Sequence, residues 1–156
     1  MEFSEYVAAR RTSLVRAAVL LGCQRPDAED VVQSALLKCY RSWPRVQRAD
    51  NPDAYVYRVL VNTLASARGR RWSGELPAER LPEPEPDERD LTTGLAVRRA
   101  LAGMSREHRE VLVLRYYADL SEREISETLR VPPGTVKSRT ARALAVLAGD
   151  HHLRSV

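Results

Sequence analysis

Residues 121–147 read SEREISETLRVPPGTVKSRTARALAVL, which is two short helical patterns separated by a turn that contains two prolines. Ser121 and Glu124 have the spacing of a capping box, in which each side chain accepts a hydrogen bond from the other residue's backbone at the start of a helix. Ile125 and Leu129 lie about one turn apart and give this helix an apolar side. The letters RVPPG then break the helix, because proline lacks the amide hydrogen that a helix interior needs. The segment therefore predicts two helices joined by a tight turn.

The second of these helices, from Thr135 onward, combines apolar residues with short polar and basic ones. A helix that enters the major groove of DNA needs hydrogen-bonding side chains near its start and cations that reach the phosphates. The residues that meet this requirement are Thr135, Lys137, Ser138, Arg139 and Arg142. The residues predicted to pack on the preceding helices are Val136, Ala143 and Leu144. The arrangement is that of a helix-turn-helix, but periodicity alone favours a plain helical hairpin whose basic residues only solvate its surface.

Helical periodicity also marks the rest of the chain, and no segment shows a sustained strand alternation. Three N-terminal helices are predicted over residues 3–21, 27–43 and 52–71, and two more over 91–102 and 105–117. Asp27, Asn51 and Ser105 are the predicted N-caps, and Gly22 and Pro44 are predicted to end the first and second helices. The predicted fold class is all-α.

The charge of the chain is unevenly distributed. Residues 1–72 contain 12 Lys and Arg against 7 Asp and Glu, and residues 98–156 contain 11 against 7. The intervening residues 73–97 contain 2 against 7. Two basic blocks therefore flank an acidic spacer, and each basic block is a candidate for contact with phosphates.

Four of the nine prolines lie in residues 73–90 among acidic side chains. Such a stretch buries little apolar surface and stays extended, so we predict a flexible, acidic, proline-rich linker. A surface loop within a single domain is the alternative, which the length of the stretch disfavours. The predicted organisation is two small helical domains, 1–72 and 91–150, with a short tail at 151–156.

The sequence contains no Walker loop, no nucleophile elbow and no HExxH motif. Cys23 and Cys39 form no CxxC pair, and His108, His151 and His152 have no ligand spacing to either cysteine. We therefore predict that the protein is not an enzyme and has no catalytic residues, no metal, no cofactor and no small-molecule substrate.

The N-terminal residues MEFSEYVAARR lack the apolar core of a signal peptide, and the chain has no apolar run near the roughly 20 residues that span a membrane. Two cysteines without a disulfide framework are typical of a reducing compartment. The sequence predicts a cytoplasmic protein that does not insert into membranes.

The C-terminal motif resembles a known family. The runs LRYYADLS (114–121) and VPPGTVKSR (131–139) are similar to region 4 of bacterial extracytoplasmic-function (ECF, group 4) RNA polymerase sigma factors, of the small actinobacterial sigma-E-like kind. This resemblance implies that the helix-turn-helix reads the −35 promoter element. Within it, Arg139 is the candidate for a base contact and Arg142 for a phosphate contact.

A second, independent resemblance lies near the N-terminus. The run DAEDVVQSALLKCYRSW (27–43) is similar to the region 2 helix by which these factors grip core RNA polymerase, and PDAYVYRVLVNT (52–63) to the following helix, which faces the −10 element. The resemblance covers about residues 3–149, in the family's order. It implies that core RNA polymerase and promoter DNA are partners, and it makes an anti-sigma factor a further candidate partner.

The resemblance implies specific contacts in region 2. The core-polymerase contacts that it implies are Asp30, Gln33 and Leu37. Without the resemblance, solvation is the better explanation for an exposed Asp and Gln. The residues 45–51 form a polar loop by sequence, where the family captures a base flipped from the melted −10 element, and the candidates there are Gln47, Arg48, Asp50 and Asn51.

The third helix carries further candidates for the −10 element. Tyr55, Arg58, Asn62 and Ser66 share one face by spacing, and an aromatic ring, a cation and an amide suit an unpaired strand. Tyr55 is equally well explained as a core residue. Arg70 and Arg71 end this helix as a basic cluster suited to DNA phosphates.

The sequence departs from the family's pattern at three positions. Ser34 and Ser66 stand where the family often has acidic residues, which puts single polymerase or packing contacts in doubt. Arg130 replaces the usual glycine of the turn, which predicts a strained turn or a different local geometry. A stand-alone helix-turn-helix regulator that binds duplex operators as a dimer is the competing function, but it assigns no task to the first 72 residues.

Overall fold

The computed structural model describes residues 1–72 and 93–149, and its secondary structure there is helical. The helices are α1 (Phe3–Leu20), α2 (Arg25–Arg41), α3 (Trp43–Arg48), α4 (Pro52–Trp72), α5 (Thr93–Ala102), α6 (Arg106–Leu112), α7 (Glu122–Leu129) and α8 (Pro133–Ala148). A π-helical turn, Val113–Tyr117, extends α6. The all-α prediction is confirmed. The predicted linker at 73–90 and the tail at 151–156 lie outside the described residues, and the domain boundaries stay a prediction.

The helices group into two units, one with α1 as far as Val19 and α2–α4, and one with α5–α8. In the first unit α2 packs mainly along α4. Their shared core consists of side chains that are almost completely buried, namely Val32, Cys39, Val56 and Leu60. Tyr6 and Leu14 are the large buried residues that α1 adds.

Helix α2 begins earlier than the sequence predicted. Its N-cap is Gln24, with Pro26 in the first turn, so the prediction of Asp27 as N-cap is wrong. Proline suits the first turn because the amide that it lacks has no partner in the helix there. Asp27 lies within that turn, where its carboxylate still interacts favourably with the helix dipole.

Residues 45–51 are not the continuous polar loop that the sequence predicted. Helix α2 ends at Arg41, and a separate short helix, α3, contains Pro44 in its first turn. Val46 is completely buried, and burying a valine side chain stabilises the fold by about 1.5–3 kcal/mol relative to leaving it exposed. That one apolar residue among polar neighbours fixes α3 against α4.

In the second unit, α6 and α7 both pack on α8. The most completely buried side chains of this unit are Ala100, Val111, Leu114, Leu120, Ile125, Val136 and Ala143. Ser105 Oγ accepts a hydrogen bond from His108 N at 3.3 Å, which confirms the predicted cap of α6.

The capping box of α7 is also confirmed. Glu124 N donates to Ser121 Oγ at 3.1 Å, and Ser121 N donates to Glu124 Oε1 at 2.9 Å. Two backbone amides that would otherwise lack a partner are thus satisfied at the start of this eight-residue helix.

Candidate nucleic-acid interface

The turn between α7 and α8 is closed by a left-handed residue. Arg130 has φ 57° and ψ 48°, and its amide and that of Val131 both donate to Ser126 O. The Ser126 hydroxyl donates in turn to Val131 O. Of the two possibilities that the sequence left at Arg130, the structure shows the first, a strained turn, because a side chain raises the energy of the left-handed conformation.

Helix α8 begins at Pro133 with Pro132 as its N-cap, two residues before the predicted start at Thr135. The predicted start was wrong because proline at the first helical position has the backbone angle that a helix needs. Thr135 therefore lies inside the first turn rather than at its edge.

Helix α8 has one buried and one exposed side. Lys137, Ser138 and Arg142 are exposed, whereas Thr135 and Arg139 are half-buried. All five residues that the sequence assigned to DNA thus lie along the outer part of one helix, in the arrangement that a groove-entering helix requires.

One packing prediction for this helix is wrong. Val136 and Ala143 are completely buried as expected, but Leu144 is 39% exposed. Successive residues of an α-helix are about 100° apart, so the neighbour of a buried alanine is turned toward solvent. Leu144 is therefore an apolar residue on the open surface of α8.

Two cations of α8 contact acidic side chains of the preceding helices. Arg139 Nη2 lies 3.4 Å from Glu107 Oε1, and Lys137 Nζ lies 3.9 Å from Glu122 Oε2. Exposed ion pairs of this kind contribute only about 0–1 kcal/mol, so a phosphate or a base edge can replace the carboxylate. Arg142 makes no ion pair within residues 93–149.

The π-helical turn after α6 was not predicted from the sequence. Ala118 N donates to Val113 O at 3.0 Å, and Arg115 Nη1 donates to Leu120 O at 3.0 Å, which closes the bend before α7. The turn leaves Tyr116 62% exposed. A π turn is the insertion of a single residue into a helix. The spacing of apolar residues at three and four positions cannot reveal such an insertion.

The face of α4 that the sequence singled out is assembled in the structure. The Arg58 guanidinium carbon lies 5.1 Å from the centre of the Tyr55 ring, a cation–π contact. Tyr55 is half-buried rather than a core residue, and Asn62 and Ser66 follow it as exposed residues along the helix. This face offers a ring for base stacking, a cation and an amide side by side.

The four candidates before α4 have different surroundings. Arg48 and Asp50 are exposed, the first on α3 and the second after it. Gln47 Nε2 donates a hydrogen bond to the backbone carbonyl of Met1. Asn51 Oδ1 accepts from Ala54 N at 3.4 Å, so the side chain caps α4 as predicted. Arg48 and Asp50 are therefore the more accessible pair.

Arg70 and Arg71 lie in the last turn of α4, as the sequence predicted. A helix of 21 residues carries them about 25 Å from its start, since each residue adds about 1.5 Å. These two residues therefore belong to the far end of the helix that begins at the −10 candidates.

The outer side of α2 forms an exposed stripe, which we call the α2 stripe. Its members lie at steps of three and four residues and are Asp30, Gln33, Leu37 and Tyr40. Leu37 is 51% and Tyr40 is 58% exposed, which is unusual for large apolar side chains in a packed helix. Tyr40 was not among the predicted contacts. Its signal in the sequence was its spacing from Leu37.

A shallow groove runs between the α2 stripe and α1. Its lining consists of Phe3, Val7, Arg11, Gln33, Leu36, Leu37 and Tyr40. The ring centres of Phe3 and Tyr40 are 4.9 Å apart, which fixes one end of the groove. The groove is mainly apolar with one cation, a composition suited to a partner's helix.

The departures from the family's pattern fall on exposed positions. Ser34 on α2 and Ser66 on α4 both face solvent, so neither takes part in core packing. The doubt at these two positions therefore concerns partner contacts and not the stability of the fold.

Cys23 and Cys39 form no disulfide with each other. Burial raises the pKa of the Cys39 thiol to about 11, so it stays protonated and is a poor nucleophile. Residues 1–72 and 93–149 contain no cluster of three or more His, Cys, Asp or Glu that could hold a metal ion. Among the helices of these same two stretches, none is long and apolar enough to cross a membrane.

Two family models match the chain in sequence. The model for sigma-70 region 2 matches residues 7–74, and the model for sigma-70 region 4 matches residues 94–147. The first match contains the α2 stripe and the whole of α4, and the second contains the helix-turn-helix.

Characterised relatives match over nearly the whole chain. The RNA polymerase sigma-E factor of Streptomyces coelicolor is 37% identical over 151 residues, which cover 94% of this chain and 84% of the relative. The ECF RNA polymerase sigma factor SigL of Mycobacterium tuberculosis is 34% identical over 141 residues, covering 86% of this chain and 80% of the relative.

Solved structures share the fold. The sigma factor RpoE of Bartonella quintana, in complex with the anti-sigma factor NepR, superposes with a TM-score of 0.74 at 22% identity, over 97% of this chain and 96% of that one. CnrH, in complex with the cytosolic domain of CnrY, gives a TM-score of 0.63 at 22% identity, over 94% and 85%. From the two family models and the relatives together, the chain belongs to the sigma-70 family, as an extracytoplasmic-function RNA polymerase sigma factor.

Proposed function

We propose that this sigma factor binds core RNA polymerase through the α2 stripe and directs it to promoters with two separate DNA-reading surfaces. One surface is the outer side of α8, for the −35 element. The other is the Tyr55–Arg58 face of α4 with the residues just before it, for the −10 element. The resemblance to the family suggests these individual residues, and their exposure and chemistry support them.

The observation that carries the proposal is the α2 stripe. Leu37 and Tyr40 expose apolar surface beside the polar side chains of Asp30 and Gln33, along about three turns of one helix. A protein contact gains by covering such apolar surface, and the flanking polar groups set its register. A stand-alone regulator that dimerises covers such a stripe equally well, so what disfavours that alternative is the match of both sigma-70 regions, 2 and 4, in one chain.

The −35 surface combines two kinds of contact. Arg142 is exposed and suits a phosphate, which gives affinity without sequence preference. Arg139 is only 22% exposed and lies nearer the turn, where the start of a recognition helix meets base edges. A bidentate contact of an arginine with guanine is the commonest specific contact in the major groove.

The −10 surface suits a strand that has left the duplex. Tyr55 offers a ring face on which a base can stack, and stacking contributes about 1–3 kcal/mol per base. Arg48 and Asp50 add exposed donors and acceptors beside it. Capture of an unstacked base lowers the free energy of the open state and so assists melting.

The chain itself carries no catalysis in this scheme. RNA polymerase supplies the chemistry and its own metal ions, and the sigma factor acts in the cytoplasm, where polymerase and chromosome meet. Contacts at the two elements are individually weak and add through effective concentration, because one chain joins them.

An anti-sigma factor is a further proposed partner. The sigma factor RpoE, whose fold this chain shares, was solved in complex with the anti-sigma factor NepR. The mainly apolar groove between α1 and α2 is a surface where a helix of such a partner fits.

The proposal is tested by mixing the tagged chain with core RNA polymerase from a Streptomyces host, the genus of the sigma-E relative. We expect the chain to co-elute with core polymerase in size-exclusion chromatography and to make run-off transcription promoter-dependent. Tight binding of duplex operators by the chain alone, with no association with core polymerase, contradicts the proposal and favours the stand-alone regulator.

A further inference from the structure

Helix α1 contacts both ends of the segment that runs from the start of α3 to the first turn of α4. We call residues 43–53 the α3–α4 corner. The Tyr6 ring packs on the Trp43 ring with 5.3 Å between their centres, at the start of the corner. The Tyr6 hydroxyl donates to Asp53 Oδ1 at 2.8 Å, at its end, and Arg10 Nε lies 3.2 Å from the same oxygen.

These contacts are attached to the proposed −10 surface itself. Asp53 is the second residue of α4 and lies between two −10 candidates, Asn51 and Tyr55. The Asn51 side chain accepts from the amide of Ala54, so its direction depends on the same first turn. A shift of Asp53 therefore moves the groups that are proposed to hold an unstacked base.

The Tyr6–Asp53 hydrogen bond is of a strong kind. Tyr6 is only 5% exposed, and burial together with the hydrogen bond to Asp53 raises the pKa of its hydroxyl, which therefore stays a donor at any physiological pH. A hydrogen bond to a carboxylate is stronger than one between neutral groups. The Asp53 carboxylate also lies in the first turn of α4, where the helix dipole favours a negative charge.

The geometry points to Tyr6 and Arg10 as positioning residues for reading of the −10 element. They act through Asp53: by holding one carboxylate oxygen, they set the direction of the first turn of α4 relative to α3. The inference rests on the proposed function of the corner and of Tyr55, and neither Tyr6 nor Arg10 is taken to contact DNA.

The test uses holoenzyme formed from core RNA polymerase and the full chain, with Tyr6→Phe and Arg10→Gln variants. Tyr6→Phe removes only the hydroxyl and keeps the buried ring. Arg10→Gln changes an exposed side chain and leaves the core untouched, so it tests the same oxygen independently of folding. The matched control is Arg16→Gln, an exposed arginine of α1.

Promoter discrimination is measured by run-off transcription from templates that differ only in the −10 or only in the −35 element. We expect Tyr6→Phe and Arg10→Gln to lower discrimination among −10 sequences about two- to tenfold, the ratio that loss of one hydrogen bond gives. Discrimination among −35 sequences and association with core polymerase are expected to equal those of the wild type and of Arg16→Gln.

The possible results separate the positioning role of Tyr6 and Arg10 from the proposed function of the corner. A uniform loss on every promoter, or −10 discrimination unchanged in both variants, overturns the positioning role while the wild-type data leave the proposed function intact. Wild-type holoenzyme that does not distinguish −10 sequences at all overturns the proposed function of the corner itself.

Discussion

Arg139 Nη2 and Glu107 Oε1 lie 3.4 Å apart, so the predicted base-reading arginine of α8 is paired with a carboxylate of α6 before any DNA is bound. Arg142, one turn further along the same helix, is exposed and makes no such pair within residues 93–149. Before DNA binds, the Arg139 side chain is therefore held by an ion pair, whereas the Arg142 side chain is not held by one within these residues. One is directed by a neighbouring helix, and the other is free to follow a phosphate.

Arg139→Ala is expected to relax preference at one or two base pairs of the −35 element, at a cost of about 1–3 kcal/mol for the preferred sequence. The physical reason is that a base contact contributes only where the correct base is present. Binding or transcription across a set of −35 variants measures this. An equal loss on all variants shows that Arg139 reads no base, and recognition then rests mainly on DNA shape.

Arg142→Ala is expected to weaken binding to all −35 sequences about equally. Removal of one phosphate contact releases one counterion fewer, so the plot of log affinity against log salt concentration becomes shallower by roughly one unit. The measurement is holoenzyme binding at several salt concentrations. A loss restricted to particular −35 sequences contradicts the assignment.

Arg130→Gly is expected to stabilise the second unit by about 0.5 kcal/mol. Glycine avoids the cost of about 1 kcal/mol or more for a side chain at φ 57°, and part of this gain is offset by the greater freedom of glycine in the unfolded chain. Thermal unfolding should show a rise of about 2–4 °C. The control is Arg123→Gly in the first turn of α7, an exposed helical position where glycine has no such advantage and should cost up to about 1 kcal/mol. Equal destabilisation by both changes contradicts the strain at Arg130.

The turn at Arg130 shows how far the sequence alone could go. The capping box and the turn between two helices were visible as residue types at fixed spacings, because caps and turns depend on local chemistry. At Arg130 the sequence left a strained turn and a different local geometry open, and the left-handed backbone became known only from the structure. Helix starts at proline were misplaced by about two residues, at α2 and at α8, since proline both ends one helix and begins the next. Whether a given proline ends a helix or begins one depends on the tertiary packing around it.

Other features depended on contacts that spacing does not report. Helix α3 exists because Val46 is buried against α4, and the π turn exists because one residue is inserted after α6. The Tyr6–Asp53 bond joins residues 47 positions apart, and no local pattern predicts such a pair. The candidate −10 residues could be identified from their residue types. The contacts of Tyr6 and Arg10 on α1 with Asp53, beside those candidates, could not.

Asp30→Lys is expected to weaken association with core polymerase at least fivefold, with helicity unchanged. Asp30 lies in the α2 stripe and is exposed, so charge reversal acts on a partner and not on the core. The matched control is Glu127→Lys on α7, an exposed acid that pairs with Arg123 at the surface. Competition for core polymerase measures both variants. Equal affinities for the wild type and Asp30→Lys place Asp30 among ordinary solvated residues.

The central claim, two reading surfaces in one polymerase-bound chain, is tested most directly by transcription from a promoter library randomised at both elements. Holoenzyme transcribes the library, and the sequences of the RNA-producing templates are compared with the input. We predict two separate blocks of enriched sequence, one near −35 that Arg139→Ala relaxes and one near −10 that Tyr55→Ala relaxes. A single enriched block, or two blocks that both substitutions leave unchanged, contradicts the account.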